Sequence, residues 1–161
     1  ITTLPALAFH YYGLAFCLLI LNRLLDGVDG SIARIKGPTD LGAYLDIVLD
    51  FIVYSAVVFG FCLAQPENAV YGAFLIFSFI GTGTSFLAYA ILAEKHNLST
   101  DAQGQKSIYY LSGIAEGFET IVILALMCLL PEHFWLLALC FGIICWLSTA
   151  GRVAEAAKTF R

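Results

Sequence analysis

The sequence predicts an all-α, polytopic transmembrane helix bundle, on three observations. Hydrophobic residues make up 60% of the 161-residue chain and charged residues 12%. A soluble domain holds roughly 45–50% apolar and ~25% charged residues. The mean hydropathy is +0.87. The apolar runs reach the roughly 20 residues that a helix needs to cross a bilayer, and none alternates with period two, so strands are not expected. Disorder, a coiled coil and a secreted disulfide scaffold are excluded on the same grounds. The net charge of −4 offers no basic patch to a nucleic acid. The five cysteines, Cys17, Cys62, Cys128, Cys140 and Cys145, are odd in number and show no C-x-x-C spacing. They read as small hydrophobes within helices. The chain reads as one membrane domain over residues 1–161.

The elements follow in order. Ile1 to Phe9 reads as the end of a span that starts upstream, so a truncated first span is expected. After a tight turn, the first complete span runs from about Tyr11 to Ile35. A short loop, Lys36-Gly37-Pro38-Thr39, leads into a second span from Leu41 to Ala64. Gln65-Pro66-Glu67-Asn68 makes the next turn, and a third span covers Ala69 to Glu94. Glu94 to Lys106 is a polar loop. A fourth span, Ser107 to Leu130, stops at Pro131-Glu132, and a fifth runs from His133 to about Lys158. The prediction is thus five complete spans plus the end of a first.

Lys and Arg orient such a bundle, because they favour the cytoplasmic side. If the spans alternate, Arg23, Arg34, Lys36, Lys95, Lys106, Arg152, Lys158 and Arg161 all fall on one side, and the turns of the other side carry none. Trp135, Tyr11 and Tyr12 then sit in the outer aromatic belt, and Tyr109 and Tyr110 near the inner one.

Ionisable groups within spans are costly and mark function by default. Asp26, Asp29, Asp46, Asp50, Glu116 and Glu119 lie within or at the ends of spans. Asp26, Asp29, Gly30 and Ala33 share one helical face, and Gly42, Asp46 and Asp50 share another. The short loop between the two helices lets these faces converge near the cytoplasmic surface. Four carboxylates in a low-dielectric site need compensating charge. Arg34 supplies one positive charge. Divalent cations would supply the rest, and all-oxygen donors select Mg²⁺ or Mn²⁺ over zinc. The plainer reading is an ion-paired acidic cluster with small residues for helix packing.

Read as a line, the residues are Asp26-x-x-Asp29-Gly30-x-x-Ala33-Arg34, seven residues, then Gly42-x-x-x-Asp46-x-x-x-Asp50. This resembles the signature of the class I CDP-alcohol phosphatidyltransferase family. Phe79-Ile80-Gly81-Thr82-Gly83 and the stretch from Lys106-Ser107 to Glu116-Gly117-Phe118-Glu119-Thr120 resemble a bacterial inner-membrane subgroup of it. The resemblance implies six spans, the first of them half missing here, and an active site at the cytoplasmic side. It implies transfer of a phosphatidyl group from a CDP-linked lipid such as CDP-diacylglycerol to an alcohol, with release of CMP, in phospholipid biosynthesis. Carried over residue by residue, the metal ligands are Asp26, Asp29, Asp46 and Asp50, holding two Mg²⁺ or Mn²⁺ ions, with Asp50 also the general base. Gly30, Ala33, Arg34, Thr39 and Gly42 would contact or make room for the CDP-lipid. Family members often pair as homodimers.

The later helices are expected to form the acceptor pocket, from Lys106, Glu116, Glu119 and Arg152. Two glutamates there would repel a phosphate, which favours a neutral or amine-bearing acceptor. Structural hydrogen bonding across helices is the alternative for the glutamates. Gly113-x-x-x-Gly117 is a close-packing spacing, expected to be internal. Two other functions are open at this point. One is a divalent-cation transporter, against which stands the confinement of the acids to one membrane face. The other is a catalytically silent CDP-lipid binder, against which stands the intact motif.

Overall fold

The computed structural model describes residues 2–37, 39–96 and 117–160, and of residues 29–36 the backbone alone. Among them the chain is helical apart from turns, with no strand. A short helix α1, Thr3–Ala8, precedes α2, Tyr12–Lys36. Next come α3, Asp40–Ala64, a 3₁₀ turn at Pro66–Asn68, and α4, Ala69–Lys95. After the residues outside the description come α5, Gly117–Leu129, a second 3₁₀ turn at Pro131–His133, and α6, Phe134–Thr159.

The stretches Asp40–Ala64, Pro66–Lys95 and Pro131–Thr159 are each long and apolar enough to cross a membrane. The protein is an all-α, polytopic integral membrane protein. Helix α2 has 25 residues, about 37 Å at 1.5 Å per residue. Arg23, Asp26 and Asp29 interrupt its apolar run. Helix α5 is apolar over its described 13 residues apart from Glu119 and Thr120. The span and turn boundaries read from the sequence agree with α2, α3, α4 and α6 to within a residue or two. The polar loop beyond His96 and the first half of the fourth span lie outside the described residues.

The turns show why the helices stop where they do. His10 takes a φ of 61° between α1 and α2, a conformation in which His is enriched among non-glycine residues. Gly37 ends α2 with a φ of 95°, where a side chain would be strained. Thr39 opens α3: its hydroxyl oxygen accepts from the Gly42 amide at 3.1 Å, with Asp40 in the first turn. At the opposite end of the bundle one side chain ties three turns together. Gln65 Nε2 donates to the Pro131 carbonyl at 2.9 Å and to the Tyr12 hydroxyl at 3.5 Å, and its Oε1 accepts from Asn68 at 3.0 Å.

The core lies toward that tied end. Leu7, Ala15, Leu19, Val57, Val58, Phe61, Leu75, Leu124, Met127 and Phe134 are fully buried. Phe61 stacks on Phe134 at 4.7 Å and on Tyr12 at 5.7 Å. Helices α4 and α6 make the broadest pairing, with glycines set against rings. A Cβ at Gly142 would come within 2.6 Å of Phe74, one at Gly81 within 3.2 Å of Trp146, and one at Gly83 within 2.7 Å of the α3 ring Phe51. Small residues that let backbones approach closely are a main device of helix association in lipid. Toward the other end, α2 and α3 carry apolar side chains on their outer faces. Leu21, Leu24, Leu25 and Val28 on α2 and Leu41, Tyr44, Leu45 and Leu49 on α3 are exposed.

Candidate functional site

The first half of α3 and the second half of α2 bring acids from two helices together. Asp46 and Asp50 are one turn apart on α3, and Asp26 faces them from α2. The side chains of Asp26 and Asp46 meet at hydrogen-bonding range, with Asp50 within electrostatic reach. Arg23, one turn before Asp26, reaches into this group. Its Nη1 lies 2.6 Å from Asp50 Oδ1 and 3.6 Å from Asp26 Oδ2. Its Nε and Nη2 donate to Asn22 Oδ1 at 3.3 and 2.8 Å. Tyr54, one turn after Asp50, donates its hydroxyl to Asp50 Oδ2 at 2.7 Å. The Arg23 guanidinium stands 5.7 Å from the centroid of the Tyr54 ring, a cation–π separation. Both oxygens of Asp50 are therefore engaged, one by a cation and one by a hydroxyl.

Sequence reading missed Arg23 and Tyr54. The signal was present, since each lies three or four residues from a motif aspartate on the same helix. The compensating charge was expected from Arg34, whose side chain lies outside the described residues, as do those of Asp29 and Ala33; of Gly30 the backbone alone is described. Lys106 and Glu116 lie outside them altogether. Thr39 and Gly42, expected at the CDP-lipid, are joined to each other in the α3 cap, and a Cβ at Gly42 would come within 2.9 Å of the Thr39 hydroxyl oxygen. Glu119 is exposed in the first described turn of α5. Arg152 is 5% exposed on α6. It donates from Nη1 to the Thr82 carbonyl of α4 at 3.2 Å, with its guanidinium 5.7 Å from the Phe86 ring. Helix α5 approaches the carboxylate cluster at Gly117, where a Cβ would lie 3.6 Å from the Tyr54 hydroxyl. Gly117 itself is exposed, although its spacing was expected to be internal. Its partner Gly113 lies outside the description.

Whether a divalent cation suits these residues turns on the donor set. Asp26 and Asp46 present carboxylates to each other, and two such groups at hydrogen-bonding range need a proton or a cation between them. All donors are oxygens, the choice of Mg²⁺ or Mn²⁺. Among the described residues no three His, Cys, Asp or Glu side chains are gathered into a ligand shell, and Arg23 takes one oxygen of Asp50. The donors fit a hard cation in kind, with Asp29 the motif acid whose side chain is not described.

The chain matches the family model described as CDP-alcohol phosphatidyltransferase over residues 1–153. It is 51% identical over 154 residues to the inner membrane protein YnjF of Escherichia coli (strain K12), covering 95% of this chain and 75% of that protein. No solved structure matches it significantly.

Proposed function

As the chain belongs to the CDP-alcohol phosphatidyltransferase family, we propose that it transfers a phosphatidyl group from a CDP-linked lipid such as CDP-diacylglycerol to an alcohol acceptor. The carrying observation is that Arg23 joins Asp26 of α2 to Asp50 of α3, with Asp46 in electrostatic reach of Asp26, in a part of the bundle where isolated carboxylates would be costly. Asp26, Asp29, Asp46 and Asp50 would hold two Mg²⁺ or Mn²⁺ ions. When bound, such ions neutralise a diphosphate and stabilise its leaving oxygen. Asp50 takes the proton of the acceptor hydroxyl. The acceptor oxygen forms a bond to the lipid-side phosphorus as the phosphorus–oxygen bond to CMP breaks in line. CMP leaves with that electron pair. Arg34 offers a bidentate fork to the diphosphate, and Gly30 and Ala33 leave room for the nucleotide. Positioning and electrostatics supply most of the acceleration in such transfers.

The site belongs at the cytoplasmic side of a bacterial inner membrane. The one-sided distribution of Lys and Arg supports the side, and the name of the E. coli relative supports the membrane. Glu119, exposed two residues beyond Gly117, supports a neutral or amine-bearing acceptor over a phosphorylated one.

The test uses the full-length protein in liposomes containing CDP-diacylglycerol and Mg²⁺ or Mn²⁺. CMP release is followed with serine, glycerol, inositol, ethanolamine and the phosphorylated glycerol and inositol. Release with one acceptor is expected, with Asp46→Asn inactive and Asp50→Asn lowered about 10²–10⁴-fold, the usual worth of a general base. Normal turnover by Asp50→Asn with intact metal binding would remove the base assignment. Metal flux into vesicles without CMP release would replace the transferase by a transporter.

A further inference from the structure

We propose that Tyr54 is a positioning residue for Asp50, a role that rests on the phosphatidyl-transfer reading. Its phenol donates to Asp50 Oδ2 at 2.7 Å while Arg23 holds Oδ1 at 2.6 Å. A carboxylate anchored at both oxygens cannot swing about its side-chain bonds. It accepts about four hydrogen bonds or ligands in all, so two positions stay open for a cation or for the acceptor proton. The phenol is itself fixed. Tyr54 is 5% exposed, its ring meets those of Phe51 and Phe79 edge-on at 6.4 Å each, and Arg23 covers its face. Packing alone would be served by Phe, and the hydroxyl is spent on the proposed base. Helix α5 comes near that hydroxyl at Gly117, where a Cβ would make ordinary van der Waals contact at 3.6 Å and a larger side chain would reach further. Tyr54 thereby joins the helix that carries Asp50 to the helix expected to bind the acceptor.

Tyr54→Phe removes the hydroxyl and keeps the ring. Its expected effects are a kcat for CMP release about tenfold lower with an unchanged KM for CDP-diacylglycerol, and Mn²⁺ affinity about tenfold weaker by electron paramagnetic resonance, the lower end for residues that orient metal ligands. Gly117→Val presses a methyl group on the phenol from α5. It should reproduce both losses in the wild-type background and add nothing to Tyr54→Phe, the non-additivity of a shared contact. Either variant, folded by its thermal transition, decides the matter if the other fails to fold. A lowered melting temperature with kcat and Mn²⁺ affinity unchanged in both would mean a packing role and overturn the proposal. If the wild-type protein released no CMP with any alcohol, the transfer reading would fall. Weaker Mn²⁺ binding by Tyr54→Phe would then still uphold the positioning of Asp50, and unchanged binding would overturn it too.

Discussion

Arg23 places a guanidinium among carboxylates from two helices, 2.6 Å from Asp50 and 3.6 Å from Asp26. Its side chain is 13% exposed and that of Asp50 25%, so neither is screened as a surface pair would be. Removing one partner of such a pair costs more than the pair contributes, because the other is left uncompensated. Arg23→Gln is expected to destabilise the protein by about 1–3 kcal/mol, the range for an orphaned polar partner. Thermal unfolding in detergent measures it. The double variant Arg23→Gln with Asp50→Asn should recover part of the loss, since Asp50 is then neutral while Asp26 still lacks its arginine. The motif aspartates were legible from spacing alone. That Arg23 would meet them was not, because its approach to Asp50 depends on how α2 is rotated against α3. The Tyr54 contact was hidden for a similar reason. An aromatic residue one turn from an acid reads as core until its hydroxyl is placed.

Helix boundaries were the most legible feature, because each has a local chemical cause. Pro66 and Pro131 open 3₁₀ turns, Gly37 ends α2, and Thr39 caps α3. The Thr39 cap also separates two roles that the sequence could not. Thr39→Ala is expected to cost about 1 kcal/mol through the lost cap, read as a lower melting temperature. Thr39→Asp keeps a capping oxygen and adds a negative charge near the proposed diphosphate. A restored melting temperature with a raised KM for CDP-diacylglycerol would assign Thr39 a lipid contact beyond its cap. A restored melting temperature with unchanged kinetics would confine it to the cap. Helix pairing was far less legible. Gly72 answers Phe134 and Cys62, and Gly81, Gly83 and Gly142 each answer one ring on a neighbour, Trp146, Phe51 and Phe74. Complementarity of that kind is a property of two helices at once, and a single sequence shows only one side of each pair.

At the scale of the whole molecule, the distribution of basic residues predicts a topology that labelling can check. In intact cells a membrane-impermeant thiol reagent is expected to modify Glu67→Cys and Glu132→Cys once the outer membrane is permeabilised. His96→Cys should react only after the inner membrane is opened. Reversed labelling would place the acids on the wrong side for cytoplasmic CMP release. The fold class and the order of spans were legible because the bilayer fixes length and polarity together. The distance between α2 and α3 was not, because it is set by side-chain packing. The Gln65 clasp has a mechanical consequence. Helices pinned at one end behave as the tines of a fork, and displacement grows with distance from the pin. Over a helix about 37 Å long at 1.5 Å per residue, an angular slack of about 5° moves the free end by roughly 3 Å. The turns under Gln65 would hardly stir. At the acid-bearing end the Arg23–Asp50 bridge couples α2 to α3, so these two helices would swing as one tine.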